Sequence, residues 1–126
     1  MTRYQKGASA ERELLNSLYE MGYAVIRAAG SGVNALGPDI VVLKNNAAIA
    51  FECKSGYESG LSIEEEQYKK ITEWAERTAF PIYVAWRINR EGWFFILPDE
   101  LRKTERHRVI TQREAKATNR RLESVL

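Results

Sequence analysis

The chain has 126 residues, of which 44% are hydrophobic and 29% are charged, and its formal net charge is +2. This length suits one domain with a hydrophobic core, so we expect a single domain over residues 1–126. A single Cys and a single His exclude an intrachain disulfide and a zinc site of the usual spacing. No apolar stretch is long enough to span a bilayer, and we expect a cytoplasmic protein with no membrane partner.

The positive charge is concentrated at the end of the chain. Residues 102–126 contain eight Lys or Arg against three Glu, a surplus of five, so the preceding residues carry a net negative charge. A basic tail on a mildly acidic body favours an anionic partner such as nucleic acid. A solvated helix or a frayed end would show the same charge, and charge alone does not decide between these readings.

The first predicted element is a helix over residues 7–21. Leu14, Leu15 and Leu18 recur at helical spacing and form its buried stripe. Glu11 precedes them by three, four and seven residues, so it shares their face. A carboxylate there is either the solvent-reaching end of the stripe or a member of a functional site.

A strand over residues 23–29 follows, and Arg27 is its only charged residue. The segment from Gly30 to Pro38 contains three glycines and Ser31. Glycines of this density are typical of a loop that allows close backbone approach to a ligand, and also of a plain connection. The sequence leaves both interpretations open.

The stretch PDIVVLKNNAAIAFECK, residues 38–54, predicts a β-hairpin. Asn45 and Asn46 tolerate the left-handed backbone that a two-residue hairpin turn requires. If they are the central turn residues, the numbers of directly opposed residues sum to 91. Asp39 then faces Glu52 on the same side of the sheet.

Two opposed carboxylates on a largely apolar sheet repel each other and lose solvation, unless a divalent cation lies between them. Oxygen ligands suit a hard ion such as Mg²⁺ or Mn²⁺. Lys54 points to the same face as Glu52 and could orient water or stabilise charge on a phosphate. The alternative is a turn residue at Asp39 beside a Glu52–Lys54 salt bridge on an edge strand. Both strands are otherwise apolar on both faces, which favours a central, covered position and therefore a site.

A second helix is predicted to begin at a capping box formed by Ser62 and Glu65 and to run to about Arg77. Gln67 and Tyr68 lie near its start, and their spacing does not decide whether they face the site. Two strands, residues 81–88 and 93–97, and a short helix or turn at residues 98–100 complete the predicted core. The pattern predicts an α/β fold with a mixed central β-sheet flanked by helices.

These elements, with Pro38-Asp39 and Glu52-Cys53-Lys54 in the hairpin, resemble the PD-(D/E)xK nuclease superfamily. More closely, the chain resembles the archaeal-type Holliday junction resolvases. The stretch KGASAEREL (residues 6–14) is similar to their N-terminal block, and YAVIRAAGS (residues 23–31) is similar to their second block. The resemblance implies a restriction-endonuclease-like core.

The resemblance also implies roles for individual residues. It implies metal ligands at Glu11, Asp39, Glu52 and the main-chain carbonyl of Cys53, with Mg²⁺ as the cofactor and Mn²⁺ as a substitute. It implies catalytic roles for Lys54 and for Ser31. It implies DNA contacts at Arg12 and Arg27, to which we add the basic N-terminal residues Arg3 and Lys6.

A resolvase of this kind is a homodimer that cuts opposed strands of four-way junction DNA and leaves 5′-phosphate and 3′-hydroxyl ends. Replication or recombination proteins that act with it are not indicated by the sequence. One alternative is a repair or restriction-type nuclease of the same fold that acts on linear duplex. The other is a DNA-binding protein in which the site is catalytically silent.

Overall fold

The computed structural model of the chain describes residues 3–28 and 36–126. Its elements follow in the order α1 (Arg3–Glu20), β1 (Ala24–Arg27), β2 (Ile40–Lys44), β3 (Ala47–Ser55), β4 (Leu61–Glu64), α2 (Glu65–Thr78), β5 (Ile82–Ile88), β6 (Gly92–Ile96), a 3₁₀ helix (Pro98–Glu100), β7 (Arg102–Lys103), β8 (His107–Ile110), α3 (Gln112–Thr118) and α4 (Leu122–Val125). The elements predicted up to residue 100 are present, with bounds shifted by a few residues. No helix in the two described ranges has both the length and the apolarity needed to cross a membrane.

Five strands form a mixed central sheet in the order β1-β2-β3-β5-β6. Strands β3 and β5 are parallel, whereas the other neighbours are antiparallel. Parallel neighbours need a crossover connection, and here it contains α2. With helices on both faces of this sheet, the predicted fold class is confirmed.

The central sheet separates two hydrophobic cores. On one side, Leu14 and Leu18 of α1 pack with Phe51 of β3. On the other side, Ile71 of α2 packs with Val84 of β5. The predicted leucine stripe is therefore the buried face of α1, and the strand that carries the acidic motif is covered on both sides.

The hairpin between β2 and β3 has the predicted register. The observed pairs are Ile40–Phe51, Val41–Ala50, Val42–Ile49, Leu43–Ala48 and Lys44–Ala47. Asn45 and Asn46 have φ angles of 52° and 65°, the left-handed values of a type I′ turn. Turn chemistry and strand pattern thus agree on one pairing.

The predicted capping box at the start of α2 is wrong. Ser62 lies within β4, where Leu61 and Ile63 are buried and Ser62 and Glu64 are exposed, an alternation typical of a strand. Helix α2 begins at Glu65, and the side chain of its N-cap residue, Glu64, accepts no capping hydrogen bond. The carboxylate of Glu65 instead accepts two hydrogen bonds from Arg108 of β8, at 2.8 and 3.1 Å.

The C-terminal segment, residues 101–126, is folded against the rest of the chain. Strands β4, β8 and β7 form a second, three-stranded sheet. Arg120 donates hydrogen bonds to Glu100 at 2.6 Å and to the carbonyl of Phe95 at 2.9 Å. Val125 is buried in the core on the α1 side. The segment is therefore neither a frayed end nor an extended basic arm.

Many basic residues of this segment are already paired with acidic ones. The ion pairs are Arg102–Glu114, Arg108–Glu65, Lys116–Glu91 and Arg120–Glu100. Lys103, Arg106 and Arg113 are exposed. Local pairing reduces the net positive field that the sequence alone suggested, so the charge surplus is weaker support for nucleic-acid binding than it first appeared.

The type I′ turn gives a test of the hairpin register. Asn46→Gly should leave the free energy of unfolding within about 0.5 kcal/mol of wild type, because Gly adopts positive φ without strain. Asn46→Val should lower it by about 1–2 kcal/mol, because a β-branched residue is strained there. Urea unfolding of the three proteins measures this difference. A Val variant as stable as the Gly variant would contradict the turn geometry.

Candidate active site

Asp39 and Glu52 lie on opposed arms of the hairpin. Asp39 directly precedes β2, and the pairing of Ile40 with Phe51 places Asp39 opposite Glu52. Oδ2 of Asp39 accepts a hydrogen bond of 2.8 Å from the backbone N–H of Cys53. The structure therefore brings these two carboxylates together at the end of the hairpin that lies away from its turn.

Glu52 is the most unusual charged residue among those described. The residue is only 7% exposed, and no other charged residue in the described ranges is buried. Burial, a hydrogen bond with Asp39 and the negative charge of Asp39 raise the pKa of Glu52 to about 9, whereas Lys54 acts in the opposite direction. A buried carboxyl beside a second carboxylate is a hallmark of functional sites, because the pair resists holding two negative charges without a cation.

Lys54 points to the same face of β3 as Glu52 and contacts α2. Its Nζ donates a hydrogen bond of 3.0 Å to Oε1 of Gln67. Gln67 is the third residue of α2, so the first turn of that helix reaches the site. The neighbouring Tyr68 packs under Arg108, whose guanidinium carbon lies 4.0 Å from the ring centre. The structure thus shows that Gln67 contacts Lys54, a point that the sequence left open.

Trp86 lies on β5, the strand that pairs with β3 along the edge away from β2. It pairs with Lys54 in the parallel register of β3 and β5 and is fully buried. Its indole N–H donates a hydrogen bond of 3.0 Å to the carbonyl of Gly56, two residues after Lys54. The end of β3 is therefore anchored immediately beyond the acidic motif.

Glu11 of α1 is close to this group, but an arginine holds it. Its Oε1 lies 2.7 Å from Nε of Arg27 in β1, and its side chain is 17% exposed. The negative charge of Glu11 also contributes to the raised pKa of Glu52, which places it within electrostatic reach of the pair. Arg27, predicted as a DNA contact, is thus an ion-pair partner of a predicted metal ligand, and its own side chain is 50% exposed.

The three predicted acidic ligands are not assembled into one cluster in this structure. Within residues 3–28 and 36–126, no three Asp, Glu, His or Cys side chains are grouped so that they could hold a metal ion as they stand. Asp39 and Glu52 form a pair, and Glu11 is turned to Arg27. Carboxylate oxygens suit Mg²⁺ or Mn²⁺, so the donor atoms of Asp39 and Glu52 fit such an ion. To act as the third ligand, Glu11 would have to break its ion pair with Arg27.

The Cys53 side chain has a packing role. It contacts the core on the α1 side of the sheet, opposite to the face of Glu52. Burial, followed by the negative charges of Asp39 and Glu11, raises the pKa of the Cys53 thiol well above its usual value. A neutral thiol is a poor nucleophile and metal ligand, so packing is the role that the structure supports for this side chain. The role of the Cys53 carbonyl as a ligand stays a prediction.

The other predicted site residues are distributed as follows. Arg12 of α1 is exposed, which is compatible with a contact to DNA. Ser31 lies outside the described residues, and so do the side chains of Arg3 and Lys6. Their predicted roles stay predictions.

Residues 2–126 match the protein family described as archaeal Holliday junction resolvase (Hjc). The chain belongs to this family. Within it, the crossover junction endodeoxyribonuclease Hjc of Archaeoglobus fulgidus is 34% identical over 103 residues, which are 81% of this chain and 76% of that protein. The protein of the same name from Methanocaldococcus jannaschii is 34% identical over 111 residues, 88% of this chain and 80% of that protein.

Solved structures agree with the Hjc assignment. The structure of A. fulgidus Hjc, a Holliday junction resolvase, has a TM-score of 0.77 at 29% identity and covers 89% of this chain and 88% of that chain. The bacterial homing endonuclease I-Ssp6803I has a TM-score of 0.56 at 12% identity and covers 98% and 85%. The second likeness shows a shared fold, and it supports the predicted restriction-endonuclease-like core.

The raised pKa of Glu52 predicts how stability depends on pH without metal. Its ordinary pKa is 4.5 and the folded value is about 9. Between these values the folded protein keeps a proton that the unfolded chain has released, so the free energy of unfolding falls as pH rises. In EDTA, Glu52→Gln should be more stable than wild type at pH 8 by at least about 1 kcal/mol and nearly equal to it at pH 5.

Urea unfolding at the two pH values measures this effect. Glu66→Gln, which alters an exposed carboxylate of α2, is the control and should show no such pH dependence relative to wild type. A Glu52→Gln variant that is less stable than wild type at pH 8 would contradict the buried, protonated carboxyl.

Proposed function

We propose that this member of the Hjc family is a structure-selective endonuclease that resolves four-way DNA junctions by hydrolysing phosphodiester bonds. The observation that carries the proposal is the pairing of buried Glu52 with partly buried Asp39, with Lys54 on the same face of the sheet. Two carboxylates in this position destabilise the protein unless a bound cation balances their charge. The crossover junction endodeoxyribonuclease activity named for relatives that are similar over most of their length supports a role of the pair in DNA cleavage.

In this proposal, Asp39 and Glu52 hold Mg²⁺, with Mn²⁺ as a substitute, and Glu11 and the Cys53 carbonyl complete the ligand set. When bound, the ion would neutralise phosphate charge and make hydroxide available near neutral pH. Asp39 is oriented for this task by the Cys53 N–H. Glu52 must lose its proton to act as a ligand, and metal binding should therefore release protons.

Lys54 acts on the phosphate or on the attacking water in the proposed reaction. The water oxygen bonds to phosphorus, the bond from phosphorus to the 3′ oxygen breaks, and a proton goes to that oxygen. The products carry a 5′-phosphate and a 3′-hydroxyl. An ammonium beside the reacting phosphate stabilises the negative charge that develops there.

Basic side chains near the site would position the DNA. Arg12 is exposed and Arg27 is half exposed, and the proposal extends to Arg3, Lys6 and Ser31. Contacts of this kind to phosphates fix the register of a protein on DNA without reading its sequence. Selection of a junction by its shape is consistent with such contacts, and DNA as the substrate would place the protein inside the cell.

Cleavage of a four-way junction with a mobile core, compared with linear duplex of the same sequence, tests the proposal. Wild type should cut the junction in Mg²⁺ and not in EDTA, and it should leave the duplex largely intact. Glu52→Gln should abolish cutting while junction binding stays within about threefold, because the ligand is lost and the basic contacts remain.

Equal cutting of both substrates would favour a nuclease that acts on linear duplex. Binding without cutting in either metal would favour a catalytically silent DNA-binding protein. Loss of both binding and cutting in a folded Glu52→Gln variant would contradict the role assigned to Glu52.

The proposal includes a homodimer, and an apolar surface at the β1 edge of the sheet supports it. Ile26 is 57% exposed and Leu43 is 39% exposed. They pair with Val41 and Ala24 respectively, so both point to the same face of the sheet. Leu36, which is 82% exposed, follows β1 in the chain. A self-complementary apolar patch suits a two-fold dimer, which would present two active sites to two strands.

Ile26→Asp tests the dimer, because a carboxylate in the interface would lose its solvation. Wild type should have the mass of a dimer by light scattering, and the variant should be a monomer that nicks junctions without paired cuts. Tyr19→Asp, which alters a 68% exposed residue of α1, is the control and should remain dimeric. A monomeric wild type, or a dimeric Ile26→Asp variant, would refute this interface.

A further inference from the structure

Lys54 is held by one neutral partner on another element. A lysine side chain has a flexible four-carbon stem and three N–H donors, so its position is poorly defined unless something fixes it. Oε1 of Gln67 accepts one of these N–H bonds at 3.0 Å, and both side chains are partly buried. Two donors remain for a phosphate or a water. The contact therefore selects one orientation of the ammonium.

It matters whether the partner of Lys54 at position 67 is charged or neutral, because acidic groups surround the lysine. Asp39 and Glu11 already supply negative charge nearby. A carboxylate at position 67 would add to this repulsion and would compete for the ammonium as an ion-pair partner. An amide oxygen accepts the same hydrogen bond without a charge. Gln67 can thus orient Lys54 and leave its positive charge for the substrate.

Gln67 is itself held in place by the C-terminal segment. The N–H of Glu65, at the start of α2, donates to the carbonyl of Arg106 at 3.1 Å. Arg108 forms two hydrogen bonds with the Glu65 carboxylate and stacks on Tyr68. We name Glu65, Tyr68 and Arg108 the α2 clamp. Because clamp residues lie on both sides of Gln67 in the first turn, they fix the backbone from which its side chain extends.

We propose that Gln67 is a positioning residue that orients the Lys54 ammonium, and that the α2 clamp of the C-terminal segment holds Gln67 in place for this purpose. The inference rests on the proposed nuclease function, since it assigns Lys54 a role in cleavage. It gives the C-terminal segment a task that does not depend on its net charge. It also assigns Arg108 to the architecture of the site and not to DNA binding.

The first experiment compares junction cleavage by wild type, Gln67→Ala and Gln67→Glu in Mg²⁺. Both variants should lower kcat by roughly 10- to 100-fold, the effect of one hydrogen bond to a charged group, with KM within about threefold. Gln112→Ala is the matched control, because Gln112, the first residue of α3, donates a comparable 3.0 Å hydrogen bond to the carbonyl of Glu58. It should cleave as wild type does.

A second experiment reads the ammonium directly, without metal or DNA. Relaxation of the ¹⁵N signal of the Lys54 ammonium should show restricted motion in wild type and in Gln112→Ala, and greater motion in Gln67→Ala. Lys103, which is exposed, serves as the mobile reference in each sample. If the Lys54 signal is equally mobile in wild type and Gln67→Ala, the inference is overturned.

A double-mutant cycle tests the clamp. Arg108→Lys keeps the charge and loses the bidentate contact, so it should lower kcat by about 3- to 10-fold, with little further effect in a Gln67→Ala background. Fully additive effects, or a change in KM alone, would overturn the link between Arg108 and Gln67. If wild type cuts no DNA, the proposed function fails, and the ammonium measurement still decides whether Gln67 holds Lys54.

Discussion

The site depends on the register of one hairpin. The turn at Asn45-Asn46 sets which residues of β2 and β3 face each other, and with that register Asp39 and Glu52 meet on a covered part of the sheet. A shift by one residue would turn every side chain of a strand to the other face and would separate the pair. Because the surrounding strands pack on both sides, the two carboxyl groups are held close together, and Glu52 avoids the repulsion by keeping its proton when no cation is bound. The electrostatic cost of the site is therefore a consequence of how the core packs.

The two faces of the sheet contribute differently to this site. The α1 side supplies Glu11 and buries the thiol of Cys53, while the α2 side supplies Gln67. The C-terminal segment then reaches α2 through Arg108. Elements that are distant in sequence thus converge on a few atoms at the end of β3, and the parallel β3–β5 pair is the rigid frame between them.

The sequence predicted the features that rest on local chemistry. Asparagines suited to positive φ fixed the turn, and a leucine stripe fixed the face of α1. The start of α2 is not predictable from these residues, because Ser62 and Glu65 fit both a capping box and an alternating strand. The partner that decides between the two is β8, more than forty residues away, and pairing over such a separation leaves no local pattern. The Glu11–Arg27 and Lys54–Gln67 contacts were missed for the same reason, since each joins elements whose packing the sequence does not specify.

Trp86 occupies a position with a practical consequence. Its ring is fully enclosed next to the strand residue Lys54, and its indole N–H holds the carbonyl of Gly56. The emission of an indole responds to small changes in the dipoles and hydrogen bonds around it. The protein therefore contains a natural fluorophore beside Lys54, and titrations with cations or DNA can be tested optically without attaching a dye.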